Sequence, residues 1–222
     1  MAIDIEKWSS DLTERLRGIY GERLLFAGLQ GSYGRGEAAP DSDIDIVVIL
    51  KSLSVSDLDS YRAVLDGMPH GELACGFISG ERELLSWTPS ELFILYFDTV
   101  PLYGSLGPLS RLFDEGAAAG AVRDGACAIY HGGCHNYLYE KSADILVSLY
   151  KSAFFVLRAK YFCESGHYVK KRTELVSLLE GGDLAVLELW TYLQSDGLGS
   201  AEFRAASELL ISWSSEVISK YS

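Results

Sequence analysis

The sequence predicts an α+β chain: a mixed-sheet N-terminal domain over residues 1–110, followed by an all-α helical bundle over residues 111–222. Three observations carry that reading. Short β-branched runs alternate with helical periodicity in the first hundred residues. Glycine and proline then gather at Gly104, Gly107 and Pro108, which marks a boundary. Beyond it the strand signals stop and apolar residues recur at helical spacing.

The elements follow in order. Ile5, Trp8, Leu12, Leu16 and Ile19 predict a helix over 4–20, stopped by Gly21. Leu24 to Leu29 is a short apolar strand, and Gln30 to Gly36 a glycine turn. Asp43 to Leu50 is a strand bounded by Pro40-Asp41-Ser42. A helix over 52–68 starts at Ser54 or Ser56 and turns Leu58, Tyr61, Val64 and Leu65 inward. Glu72 to Ile78 reads as a third strand, Glu81 to Trp87 as a short helix, and the apolar run Leu92 to Phe97 as a further strand. Cys127 to Tyr139 has helical character weakened by Gly132-Gly133. Lys141 to Glu164 is the clearest helix, and two more follow around 171–194 with a break at Gly181-Gly182. The last runs from about Ala201 to Ser219.

Composition bounds the function. The chain has 222 residues, is 48% hydrophobic, and contains no run near the roughly 20 apolar residues of a membrane span. Its start is charged and amphipathic, unlike a signal peptide, and its four cysteines show no disulfide-scaffold spacing. A cytoplasmic protein with reduced thiols is expected. A net charge of −12 argues against a long nucleic acid as substrate. Residues 141–172 run the other way: seven basic side chains (Lys141, Lys151, Arg158, Lys160, Lys170, Lys171, Arg172) face two acids, a local excess of five that suits a compact anion. Lys151 and Arg158, seven apart, share one helix face. Cys127, His131, Cys134 and His135 have i, i+4 pairs, yet their spacing matches no standard zinc site.

The chemistry is concentrated in GSYGRGEAAPDSDIDIVVIL, residues 31–50. Asp43 and Asp45 point to one side of a strand, because side chains alternate faces. Two adjacent carboxylates repel unless a cation neutralises them, and Mg²⁺ is the hard divalent cation suited to oxygen ligands. Paired carboxylates can hold two such ions in phosphoryl chemistry. Before them, Gly31, Gly34 and Gly36 let backbone N–H groups approach an anion, Ser32 offers a hydroxyl, and Arg35 adds charge.

Gly31-Ser32, ten further residues and then Asp43-Ile44-Asp45 resembles the signature of the nucleotidyltransferases of the DNA polymerase beta superfamily, in its minimal and antibiotic-type members. Gln30 departs from it, since the family usually has an apolar residue there. The resemblance implies an enzyme with two Mg²⁺ ions that uses ATP or another nucleoside triphosphate and transfers AMP to a hydroxyl of a small molecule such as an antibiotic. It implies Asp43 and Asp45 as metal ligands and Gly31 and Ser32 at the phosphates; Arg35, from its charge beside the turn, is expected at the phosphates too, and Lys151 and Arg158, from their shared helix face, to neutralise pyrophosphate. It also implies a third carboxylate on the strand after the second helix. Glu72 fits best, as ligand or general base; Asp98 is the second choice, and absence is the third. The alternatives are a protein-modifying, AMP-tagging transferase like some antitoxins, or a degenerate nucleotide-binding module. Paired nuclease partners of such proteins carry Arg, four to six residues, then His; here eight residues stand between Arg158 and His167, so that motif is not met. A membrane partner is not expected, and a homodimer is allowed for.

Overall fold

A computed structural model describes residues 3–40, 42–193 and 200–222; Asp41 and residues 194–199, part of the predicted loop and of the break before the last helix, lie outside the described residues. The chain divides into two compact units, Met1–Phe113 and Asp114–Ser222.

The first unit is built on a sheet of order β3-β2-β1-β4 among the described residues: β1 (Leu24–Leu29), β2 (Ile44–Leu50), β3 (Ala74–Gly80) and β4 (Val100–Gly104). β1 pairs antiparallel with β2 and β4, and β2 pairs parallel with β3, so the sheet is mixed. Alternation along β2 divides the core. Ile44, Ile46, Val48 and Leu50 join Trp8, Leu12 and Leu16 of helix α1 (Ile5–Tyr20) and Leu65 of α3 (Val55–Asp66) on one face. Val47 and Ile49 join Leu84 of α4 (Glu81–Leu84) and Leu92 and Leu95 of α5 (Pro89–Asp98) on the other. A strand buried on both faces must be apolar at both parities, and β2 is so from Ile46 onward. Asp43 and Asp45 share the parity of Val47, so they lie on the α5 side.

Several expectations are corrected. The run Leu92–Phe97 is helical: Thr88 Oγ1 accepts from the Glu91 N–H, the Glu91 carboxylate accepts from the Thr88 N–H, and Pro89 occupies the first turn. That capping box and a proline preset for helical φ start a helix that the apolar run alone left ambiguous. The fourth strand is instead Val100–Gly104, part of the exit segment. Gln30–Gly36 is no open turn, because Gly31–Arg35 form one helical turn, α2, ended by Gly36 at φ 70°. Leu58 and Ile19, expected inward, are exposed.

Asp57 ties α3 back to the start of β1. Its carboxylate receives Arg23 through Nη2 (2.6 Å) and Nη1 (3.2 Å) and the Ser54 hydroxyl (2.7 Å), while the Tyr20 hydroxyl donates to its carbonyl (2.7 Å).

The second unit is helical among the described residues: α6 (Glu115–His135), α7 (Ala143–Ser165), α8 (Arg172–Val176), α9 (Gly181–Leu193) and α10 (Ser200–Lys220). α6 is longer and more regular than its glycines suggested. A Cβ on Gly125 would sit 2.5 Å from Val156 Cγ2, and one on Gly132 2.8 Å from Leu149 Cδ2. These glycines let α7 approach closely, so packing outweighs their low helix propensity. A π-helical turn, Asn136–Glu140, follows α6. Asn136 is buried and closes that turn, donating to the Ser142 carbonyl and accepting from its N–H, both at 2.9 Å. Lys160 binds Asp183 and Glu164 (3.1 Å), Lys220 joins Glu164 (2.7 Å), and Trp213 Nε1 donates to Asp183 (2.8 Å), linking α7, α9 and α10.

Two outcomes test this packing. The Arg23 hydrogen bond, then that from Ser54, holds the Asp57 carboxyl well below its usual range. A carboxyl depressed in the folded state stabilises above its unfolded pKa, near 4, and loses that contribution as pH falls toward the folded value. Urea unfolding between pH 5 and 2 is therefore expected to show a steeper acid loss of stability in the wild type than in Asp57→Asn. Gly125→Ala is expected to lower the unfolding free energy by about 1–3 kcal/mol despite its better helix propensity, because Val156 is buried against α6 and cannot move aside.

Candidate active site

The end of β1 and the start of β2 build the site. Gln30 continues the β1 ladder by one rung: its N–H donates to the Asp45 carbonyl at 2.8 Å. The next residue, Gly31, turns the chain out of the sheet at φ 60°. A Cβ on Gly31 would lie 1.7 Å from Asp45 Oδ2 and 2.7 Å from its Cγ. No side chain fits there, and positive φ disfavours every other residue as well. The backbone of the Gly-Ser turn therefore lies directly against the Asp45 carboxylate. The turn is internally closed, with Gly34 N–H bonded to the Gln30 carbonyl (2.9 Å) and Glu37 N–H to the Ser32 carbonyl (2.8 Å).

The sequence-predicted residues sort as follows. Gly31, Ser32 and Arg35 all lie on α2, beside Asp45, and all are half-buried. Arg35 is engaged by Glu37, Nε to Oε2 at 3.3 Å, with both side chains largely shielded from water. Asp45 is half-buried, and Asp43 is exposed just before the strand begins, on the same side by alternation. The pair presents only oxygen donors and one member is cradled by a backbone, which suits a hard cation with its remaining positions open to phosphate oxygens and water.

Glu72 is not on the strand. It lies in the 3₁₀ turn Gly71–Leu73 ahead of β3, exposed, with its carboxylate 4.0 Å from His70 Nδ1. In the parallel register Asp45 stands opposite Cys75, an exposed free thiol. The position beside the aspartate on β3 thus carries sulfur where the resemblance implies a carboxylate. Sequence reasoning missed this because the register of β2 against β3 cannot be read from either strand alone. Asp98 is the last residue of α5 and is buried; Leu92 and Leu95 of that helix pack on the sheet face that carries Val47. No group of three or more His, Cys, Asp or Glu side chains able to hold a metal forms among the described residues.

In the second unit, Lys151 is exposed on α7 and Arg158 is fully buried. The Arg158 guanidinium lies over Phe154 (4.6 Å), Phe155 (4.7 Å) and Tyr168 (5.5 Å), an aromatic cage that offsets part of the cost of burying its charge. The other cations predicted as a basic cluster are dispersed: Lys160 enters the ion-pair network, and Arg172 lies over Trp190 at 5.3 Å. Cys127, His131 and His135 form an exposed stripe on α6, with the two imidazoles 6.4 Å apart.

Comparisons with known proteins bear on the domain and its fold. Residues 12–85 match the family model of a nucleotidyltransferase domain. A spectinomycin adenyltransferase from Enterococcus faecialis, solved with ATP and spectinomycin, shares the fold at a TM-score of 0.59 and 13% identity, over 96% of this chain and 99% of that one. Two toxin–antitoxin structures, one with AMP-PNP, align over 47% of this chain and 79% of theirs at 18% and 16% identity; their TM-score of 0.35 is too low to support any argument. No curated protein matches the chain significantly in sequence. The match to a nucleotidyltransferase domain thus falls on residues 12–85, within an α+β chain whose sheet is mixed.

Proposed function

We propose that the chain transfers a nucleoside monophosphate, AMP from ATP, to a hydroxyl of a small molecule, in a reaction that depends on Mg²⁺. One observation carries the reading: the backbone of the Gly31–Ser32 turn lies against the Asp45 carboxylate, so phosphate donors and metal ligands share one site. Asp43 and Asp45 would hold Mg²⁺, which when bound supplies neutralisation of the triphosphate and a more acidic acceptor hydroxyl. The Ser32 hydroxyl and the turn's backbone N–H groups orient the outer phosphates. Arg35, already half-committed to Glu37, adds charge from a fixed position. Phosphoryl transfer asks the protein mainly for positioning and charge, which these residues offer. A small-molecule acceptor is supported by likeness in fold over nearly the whole chain to an enzyme solved with spectinomycin. The net charge of −12 suits a cationic acceptor of that kind.

A second reading is favoured by Cys75. With a thiol opposite Asp45, and Glu72 outside the strand, the chain would bind nucleotide without transferring it. Product formation separates the two.

Calorimetry with Mg²⁺ and AMP-PNP is expected to give binding that is lost without metal. Asp43→Asn and Asp45→Asn are each expected to lower transfer at least about a hundredfold while leaving the urea midpoint near that of the wild type. Normal turnover in either variant would sink the mechanism. Gly31→Ala is expected to abolish metal-dependent nucleotide binding, because the new methyl group displaces the Asp45 carboxylate. Retained affinity in that variant would refute the shared site.

A further inference from the structure

We infer that Gln30 is a positioning residue, whose side chain locks the phosphate turn to the α5–β4 corner; the inference deepens the proposed function and rests on nucleotide binding at that turn. Gln30 is flanked on both sides of β1. On one side its backbone N–H is bonded to Asp45 on β2. On the other, β4 pairs with β1 up to Leu29↔Val100, so the residue opposite Gln30 is Thr99. The Gln30 side-chain amide donates to Thr99 Oγ1 at 2.9 Å, and the Thr99 hydroxyl passes its own proton to the Leu95 carbonyl in α5.

Thr99 is a firm anchor. It is buried, and its methyl group fills the space left by the missing side chain of Gly28, where a Cβ would come within 2.5 Å of it. The chain from Leu95 through Thr99 to Gln30 therefore runs from a capped helix to the last residue before Gly31 leaves the sheet. An apolar side chain at position 30 could fill the same volume, but it could not donate this bond. The polar residue sets the rotation of the peptide that precedes Gly31, and with it the direction of the turn's N–H groups relative to Asp45.

The test reads the turn with and without nucleotide. Amide hydrogen exchange in the absence of ligand follows Gly34, Gly36 and Glu37, whose N–H groups close the turn. Gln30→Met and Thr99→Val are each expected to speed exchange there roughly five- to tenfold, the loss of one hydrogen bond, and to weaken AMP-PNP binding with Mg²⁺ by a similar factor. Exchange in α1 and β2 should stay unchanged, which a merely structural role would not predict. The double variant should be no worse than the worse single one, since both remove the same bond. Thr99→Ser, which keeps the hydroxyl but loses the methyl packed at Gly28, should show a smaller defect than Thr99→Val. Unchanged exchange in Gln30→Met, additive losses in the double variant, or a defect in Thr99→Ser equal to that in Thr99→Val each overturn the inference. If wild type binds no AMP-PNP while the exchange pattern holds, the nucleotide reading falls and the positioning of the turn stands.

Discussion

The structure of the first unit depends on one steric constraint: the carboxylate of Asp45 occupies the space where any side chain at position 31 would be. Everything near it is arranged to keep those two residues apart in chemistry and together in space. β1 and β2 pair antiparallel through Leu29↔Ile46, so the ladder brings Gln30 level with Asp45. Glycine then takes the positive φ that aims the chain across the end of β2. The apolar faces of β2, packed under α1 on one side and α5 on the other, hold the strand in register. A slip of one residue would turn both aspartates to the opposite face. Core packing and site geometry are in this sense the same fact seen from two ends of one strand.

Much of this was legible in the sequence because the residues concerned have few alternatives. Two aspartates at alternate positions on a β-branched run must share a face, and a glycine at position 31 allows the positive φ found there. The helices α1, α3 and α7 were legible from periodicity and caps; Ser54 forms a capping box with Asp57, and Gly166 closes α7 at φ 74°. Leu92–Phe97 was misread because six apolar residues in a row fit a buried strand or a buried helix equally well. The deciding signal, Thr88-Pro89-Ser90-Glu91, stood just upstream as a capping box with proline in the first turn. In α6 the error ran the other way. Gly125 and Gly132 lower intrinsic helicity, but their value lies in the close approach of α7, which no local rule can register.

The basic segment 141–172 shows why a charge count over a stretch is a weak guide to a site. Lys160 is consumed by Asp183 and Glu164. Burial works against its charge, yet the hydrogen bonds and attraction from those two acids win, and its ammonium is held above the ordinary range. Arg158 and Arg172 lie on aromatic rings. Lys220, outside the segment, completes the acid pairing at Glu164. Three of the seven cations, Arg158, Lys160 and Arg172, thus go into stabilising contacts within the bundle, while Lys141, Lys151 and Lys171 are exposed.

The third position of the site decides how much chemistry it can do. A general base contributes roughly 10²–10⁴-fold by taking a proton in the transition state, and it must reach that proton. On β3 the residue level with Asp45 is Cys75, and the nearest acid in sequence, Glu72, sits in the preceding turn with its carboxylate facing His70 and water. In the proposed reaction, orientation of the triphosphate and neutralisation of its charge would fall to the turn and the aspartate pair rather than to a third carboxylate. Positioning and charge are the larger part of phosphoryl transfer. Under that reading the site would keep the greater share of the catalytic advantage even without a third carboxylate to remove the proton. In the proposed reaction the acidity of the acceptor hydroxyl would then set how much is lost by a thiol standing level with Asp45 on β3.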